Sequence, residues 1–268
     1  MIPYLEAQVA GVTPEVQRSL VREYLQMRIL QSLQRAGAMI PLAFHGGTAL
    51  RFLYQLPRYS EDLDFALERQ RAQYDFRSYL EGVRRDLTAD TYTVEIKVND
   101  RKVVNSAFVR FRGLLYQLGI TPHHDEIIAI KLEIDTNPPA HALLDTTLVQ
   151  HHVDVHLQHH NQASLFAGKL HAILQRAYVK GRDWYDLYWY LCQPQWPLPN
   201  FDMLNQALRQ SGWDKGVVTE LNWRAHVRNR LHALAWQDVT TDVEHFIIGQ
   251  QPDFTGETID RLLLMPNL

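Results

Sequence analysis

Between residues 13 and 36 apolar side chains return every three or four positions, with Leu20, Tyr24, Met27 and Leu30 on one stripe, and that spacing predicts a helix. Thr13 can cap it, Pro14 suits its first position and Gly37 is a natural stop. The run "AMIPLAF" predicts a short buried strand that ends at Gly46-Gly47. In "TALRFLYQ" the residues Ala49, Leu50, Leu53 and Tyr54 form the apolar stripe of a second helix. "LPRYSE" reads as a loop, and "DLDFAL" as a strand alternating acid with apolar. Helical spacing returns over 73–88, and strand-type patterns follow at 91–98, around 103–112 and at 126–135. "NPPAHA" then breaks the pattern with two prolines.

From about residue 162 the periodicity is helical throughout, in "SLFAGKLHAILQRAY", "RDWYDLYWYL", "FDMLNQALRQ" and "VTELNWRAHVRNRLHAL". The order is therefore a helix, a mixed strand and helix region, and a helical array, which predicts an α+β fold. The expected division is a mixed strand and helix core with its N-terminal helix over 1–160 and a helical domain over 161–268. Neither repeats nor low-complexity tracts are visible.

Composition narrows the classes. Of the 268 residues, 46% are hydrophobic and 21% charged, the balance of a globular protein rather than a disordered one. A formal net charge of −3 does not announce a nucleic-acid binder, so any such surface must be a local patch. The single cysteine, Cys192, excludes an intrachain disulfide. Its aromatic surroundings in "YWYLCQP" suggest a buried small hydrophobe rather than a nucleophile. The start "MIPYLEAQVAGV" lacks the basic and apolar regions of a signal peptide, and no window has the ~18 apolar residues of a membrane span. A cytoplasmic protein is expected.

Alternation in "EDLDF" puts Asp62 and Asp64 on one strand face, with Leu63 and Phe65 on the other. Adjacent carboxylates repel unless a cation lies between them, and their hard oxygens suit Mg²⁺. Taken alone, the pair is better accounted for by a solvated acidic face. In "IKLEID" a second strand presents Lys131, Glu133 and Asp135 on one face. If the two strands are neighbours, three acids come together, a set that can hold two metal ions for phosphoryl transfer. Gly46-Gly47 before a helix expected near Thr48 would offer bare N–H groups and close backbone approach to a phosphate. The combination points to a nucleoside triphosphate.

"FHGGTALRFLY" followed by "RYSEDLDF" resembles the glycine-pair and Dx[DE] signature of the DNA polymerase β-like nucleotidyltransferases. "IKLEIDTNPP" and "GKLHAILQRAYVKGRDWYDLYWYL" are similar to the AbiEii/AbiGii toxin family, which includes the MenT-type toxins. Four separated blocks match in order over roughly residues 40–190. The resemblance implies a polymerase β-like core, a mixed sheet with helices, followed by a helical C-terminal lobe that completes the active-site cleft. It implies a Mg²⁺-dependent nucleotidyltransferase toxin of a toxin–antitoxin and phage-defence system, with two ions engaged during catalysis and an antitoxin encoded nearby. NTP would be the substrate and an RNA 3′ end, the tRNA acceptor end, the target. Residue by residue, Asp62 and Asp64 would be metal ligands and Glu133 the third acid. Gly46, Gly47, Thr48 and Ser60 would face the nucleotide, and Lys169 and Asp183 would belong to later catalytic motifs.

The residues themselves leave alternatives. Lys169 lies in an apolar helix, where an inward lysine needs an anion such as a triphosphate; an outward lysine is the ordinary case. Asp183 stands where a helix N-cap would, and Asp186 competes for its catalytic role, as Asp135 competes with Glu133. Arg51 and Arg58 are near enough to meet phosphate but carry no specific signal. "VQHHVDVHLQHH" would place His152, Asp154 and His156 on one strand face, and "PHHDE" adds His123 and His124. That spacing matches no strong zinc signature, so a hydrated polar face is the better account. Arg224, Arg228 and Arg230 with Lys215 and Trp223 could form an RNA-contacting patch, although a charged helix face is more frequent. The alternatives to RNA modification are protein nucleotidylation, of itself or its antitoxin, and a nucleotide-binding module without turnover. The base, the acceptor and the oligomeric state are not legible in the chain.

Overall fold

The computed structural model describes residues 2–249 and 253–265. Among them the fold is mixed α+β, with eleven α-helices and one seven-stranded sheet. The first helices are α1 (Ile2–Val9) and α2 (Pro14–Arg35). Then come β1 (Leu42–His45), α3 (Gly46–Tyr54), β2 (Asp62–Leu67) and α4 (Phe76–Ala89). The hairpin β3 (Val94–Asn99) and β4 (Val104–Arg112) leads through the short α5 (Leu114–Gln117) to β5 (Ile127–Asp135). The strands β6 (Leu144–His151) and β7 (Val153–His160) complete the sheet, in the order β3-β4-β5-β2-β1-β7-β6. Its pairings are mixed: β2 runs parallel to β5, and β1 antiparallel to β2. The helices that follow are α6 (Gln162–Gln175), α7 (Gly181–Leu191), α8 (Phe201–Gln210), α9 (Trp223–Leu231), α10 (Trp236–Val243) and α11 (Gly256–Leu264).

The alternation read from the sequence becomes a two-faced sheet. Leu63, Phe65, Ala107, Val109, Phe111, Ile130, Leu132 and Ile134 are buried, each about 1.5–3 kcal/mol for a large side chain. Their strand neighbours Asp62, Asp64, Lys131 and Glu133 remain half-buried on the opposite face. On the core side α2 packs on α4 and β5, and α4 packs on β3.

By contacts the chain divides into two compact units. One takes in the chain to Leu53, then Tyr59–Asn137 and Thr146–His159; the other takes in Tyr54–Arg58, Pro138–Asp145 and the chain from His160. In the second, α6 packs on α7, α8 and α9, and α7 packs on α10 and α11. Its core stacks Phe166 on Tyr190 at 4.4 Å, with Trp223 edge-on to Phe166 at 5.6 Å. At Gly181 a Cβ would lie 2.0 Å from the Val239 carbonyl oxygen, so only glycine lets α7 approach α10 this closely.

Several boundaries differ from the sequence expectation. The strand expected over "AMIPLAF" is confined to Leu42–His45, because Gly37, at φ +80°, starts a turn that uses the preceding residues. The helix expected near Thr48 begins at Gly46. The pattern did not reveal α1 or β6. Cys192 ends α7 and is exposed, not buried as its aromatic neighbours suggested, because it falls at the helix C-cap. Among the described residues no helix is long and apolar enough to cross a membrane.

Candidate active site

Register decides which acids meet. Across the parallel pair β2–β5, Asp62 faces Lys131, Asp64 faces Glu133 and Ala66 faces Asp135. Strands lie ~4.8 Å apart, so Glu133 is the immediate neighbour of Asp64. Asp135 lies one pleat further along, where its Oδ1 accepts from the Asn137 N–H at 2.9 Å. Burial lifts the Asp135 carboxyl above its ordinary value, against the Asn137 hydrogen bond.

Lys131 holds the cationic centre of this row. Its Nζ lies 2.9 Å from Glu133 Oε1. Burial works against the charge, and Glu133, Asp62 and Asp64 outweigh it, holding the ammonium above the ordinary lysine value. Among the described residues no three His, Cys, Asp or Glu side chains converge as a ready-made metal cluster. The donor chemistry nevertheless fits a hard divalent cation: three carboxylates share one face and already draw a positive charge toward them.

The glycine pair locks onto this row. β1 pairs antiparallel with β2 and puts His45 opposite Asp64. The next residue, Gly46, has φ +80°, and a Cβ there would lie 2.4 Å from Asp64 Oδ2. The Asp64 carboxylate therefore rests against the first residue of α3, where the helix dipole favours negative charge. Thr48 is buried, and its hydroxyl donates to the Asp62 carbonyl oxygen. That bond fastens the first turn of α3 to the acid-bearing strand. Ser60, in the extended segment before β2, accepts at its carbonyl from Gln26 Nε2 at 3.1 Å. Sequence reading missed His45 and gave Lys131 no role, although both had signals: one precedes the glycine pair and the other shares the Glu133 face.

Lys169 and Asp183 meet in the helical unit. Lys169 Nζ lies 3.0 Å from Asp183 Oδ1 and 2.7 Å from Asp186 Oδ2. Arg58 grips Asp186 with two parallel bonds, Nε at 2.6 Å and Nη2 at 2.7 Å, with both side chains no more than 2% exposed. Arg176 lies 3.2 Å from Asp183. Burial alone would raise the Asp183 carboxyl, but Lys169, Lys180 and Arg176 hold it below the ordinary value. Lys180 is driven down, first by burial and then by Lys169, Arg182 and Arg176, against the attraction of Asp183. The helix N-cap is Lys180, so Asp183 lies inside the first turn and is an ion-pair partner rather than a cap.

The other constellations are built into the structure in different ways. His152 is the turn between β6 and β7, at φ +59°, and so leaves the face it would have shared with Asp154 and His156. Its Nδ1 lies 2.8 Å from the Tyr4 hydroxyl. His124 pairs with Asp125 at 3.0 Å in an exposed loop. The residues weighed as a basic patch on α9 are engaged within the unit, in keeping with a charged helix face: Trp223 is buried, Arg228 pairs with Asp260 at 2.8 Å, and Arg230 donates to the Arg176 carbonyl.

The family model described as nucleotidyl transferase AbiEii toxin, type IV TA system, matches residues 28–263. Two solved structures from Helicobacter pylori are similar in fold. The crystal structure of JHP933 aligns with a TM-score of 0.55 and 19% identity over 91% of this chain and 90% of that one. A candidate nucleotidyltransferase aligns with a TM-score of 0.57 and 19% identity over 91% and 92%. No match was found among curated proteins. The chain belongs to the AbiEii toxin family of nucleotidyltransferases, of type IV toxin–antitoxin systems.

Proposed function

We propose that this nucleotidyltransferase uses Mg²⁺ to transfer a nucleoside monophosphate from an NTP to an RNA 3′ end, the acceptor end of tRNA. It would do so in the cytoplasm as the toxin of a toxin–antitoxin pair active in phage defence, with an antitoxin encoded nearby. The observation that carries this reading is the register of Asp64 on Glu133, with the Asp64 carboxylate resting on Gly46 at the start of α3.

Asp62, Asp64 and Glu133 would hold the metal. Magnesium bound there would offset phosphate charge and ease loss of the proton from the attacking hydroxyl. The backbone at Gly46 and Gly47, with Ser60, would receive phosphate oxygens at the helix start. The Thr48 hydroxyl serves indirectly, by tying α3 to β2 through the Asp62 carbonyl. The 3′-oxygen forms a new bond to the α-phosphorus as the bond to the β-phosphate oxygen breaks; pyrophosphate leaves, and the hydroxyl proton passes to water. Lys169 and Asp183 are the remaining residues of the family set. Because Lys169 is ion-paired with both Asp183 and Asp186, a phosphate drawn to it would compete with two carboxylates.

Incubation with each α-labelled NTP, Mg²⁺ and total RNA tests the reading. Label on tRNA-sized RNA that is lost with Asp62→Asn supports it. Label on protein alone replaces it with protein nucleotidylation, and NTP retained without pyrophosphate release replaces it with a binding module.

A further inference from the structure

The acids do not stand alone on their side of the sheet. Register continues the row of Asp62 through Lys131 to Phe108 on β4 and Lys97 on β3. Four strands thus present acid, cation, aromatic ring and cation in line. Phe108 is 43% exposed, whereas Ala107 and Val109 on either side of it are fully buried against the core. A phenylalanine on the strand next to the sheet edge, on a water-facing side, leaves apolar area in solvent, and flat exposed rings on sheets are where unstacked bases lie.

Charge agrees with the ring. The hairpin 94–112 carries five basic residues, Lys97, Arg101, Lys102, Arg110 and Arg112, against Glu95 and Asp100. The whole chain is net negative, so this excess is local. Glu95 attracts both Arg110, at 3.2 Å, and Lys97, at 3.8 Å, and Asp100 is taken by Arg77 at 2.6 Å. Arg101, Lys102 and Arg112 are exposed. A basic surface around an exposed ring is the combination that holds single-stranded nucleic acid, phosphates on the cations and a base on the ring. Duplex binding needs phosphate contacts alone and gives Phe108 no task.

We infer that the open face of β3, β4 and β5 is the track for the single-stranded 3′ end of an RNA acceptor, with Phe108 as the stacking platform for one base. The inference rests on the reading of Asp62, Asp64 and Glu133 as the transfer site. Phe108 is two strand spacings from Asp62, ~10 Å. At about 3.4 Å per stacked nucleotide, a base on Phe108 lies roughly three nucleotides from the reacting hydroxyl. This platform would therefore select acceptors whose last few nucleotides are unpaired.

The test measures binding apart from chemistry. Full-length protein carrying Asp62→Asn, which blocks turnover, is titrated against an unstructured fluorescein-labelled RNA oligonucleotide by anisotropy. Adding Phe108→Ala is expected to weaken binding roughly 10-fold or more, the size of one lost base stack. Phe108→Trp should restore it, and Lys97→Ala should flatten the salt dependence. Unchanged affinity with Phe108→Ala, or a blunt-ended duplex competing as well as the single strand, overturns the proposal. Wild-type protein that transfers no label while Phe108→Ala still loses RNA binding would remove the enzymatic reading and leave this surface standing. Active transfer with Phe108-independent binding would do the reverse. Phe108 is exposed, so the variant should unfold at the parent temperature, which separates lost binding from lost fold.

Discussion

The Gly46 backbone and the Asp64 carboxylate are in contact: a Cβ at residue 46 would lie 2.4 Å from Asp64 Oδ2. The chain therefore has no room for any side chain at the point where β1 turns into α3, and the positive φ of +80° independently favours glycine. Gly46→Ala should destabilise by about 1–2 kcal/mol through φ alone, and more through the displaced carboxylate. It should also abolish transfer, since Asp64 must move. In a double-mutant cycle, Asp64→Ala should relieve part of the stability loss. Additive losses in thermal or urea unfolding would show that the contact is not what excludes a side chain.

A second prediction concerns Thr48, whose hydroxyl donates to the Asp62 carbonyl. Thr48→Val keeps the shape and leaves a buried carbonyl without that donor, a loss of about 1–3 kcal/mol. Thr48→Ser should restore both stability and transfer. Equal behaviour of the valine and serine variants would remove the hydroxyl from the account.

Among the described residues of the helical unit, the ion pair of Arg58 with Asp186 is the most enclosed. Arg58→Ala strips a carboxylate with no exposure of its bidentate partner and leaves it Lys169 at 2.7 Å, so the cost falls at the lower end for a broken buried pair, about 3 kcal/mol. A melting temperature lower by roughly 10 °C is expected. Arg58→Met combined with Asp186→Leu should recover part of it, because the two charges leave together while Lys169, which loses Asp186, keeps Asp183 at 3.0 Å. An unchanged melting temperature for Arg58→Ala would contradict the burial argument.

His152 gives the fold a defined acid sensitivity. Burial, with His151 beside it, pushes its imidazole down to about 4 from the ordinary 6.5, against the pull of Glu23. Above pH 6.5 both folded and unfolded chains hold it neutral. Below 6.5 the unfolded chain takes up a proton that the folded chain refuses, so stability falls until about pH 4 and then levels off. His152→Gln should flatten the denaturation profile within that window. A parallel profile for variant and parent would mean that other groups set the acid response.

The strands that carry the acids were readable because β2 and β5 alternate strictly, with one face buried. Alternation alone left Glu133 and Asp135 open and only the family resemblance favoured Glu133; that Glu133 stands opposite Asp64 is a property of pairing rather than of either strand. Asp183 looked like a cap because its position near a helix start is local information. The actual start at Gly181 is set by the close approach of α10, through Val239 nearly sixty residues away. Whether the arginines of α9 were open to a ligand was left undecided in the sequence, because Asp260, which takes Arg228, is distant along the chain. Phe108 stayed hidden for a related reason. "VVNSAFVRFR" announces a strand, but which of its two faces meets the core is decided by α4 and the neighbouring strands.

The most direct measurement compares Glu133→Gln with Asp135→Asn in one assay of label transfer from NTP to RNA, with unfolding temperatures as a control. Removing a residue that stabilises the transition state by roughly 3 kcal/mol slows transfer on the order of 100-fold. The account predicts that loss for Glu133→Gln, with Asp135→Asn staying within a few-fold of wild type. Normal transfer by Glu133→Gln, or a loss confined to Asp135→Asn, would contradict the acid row on which the proposed chemistry depends.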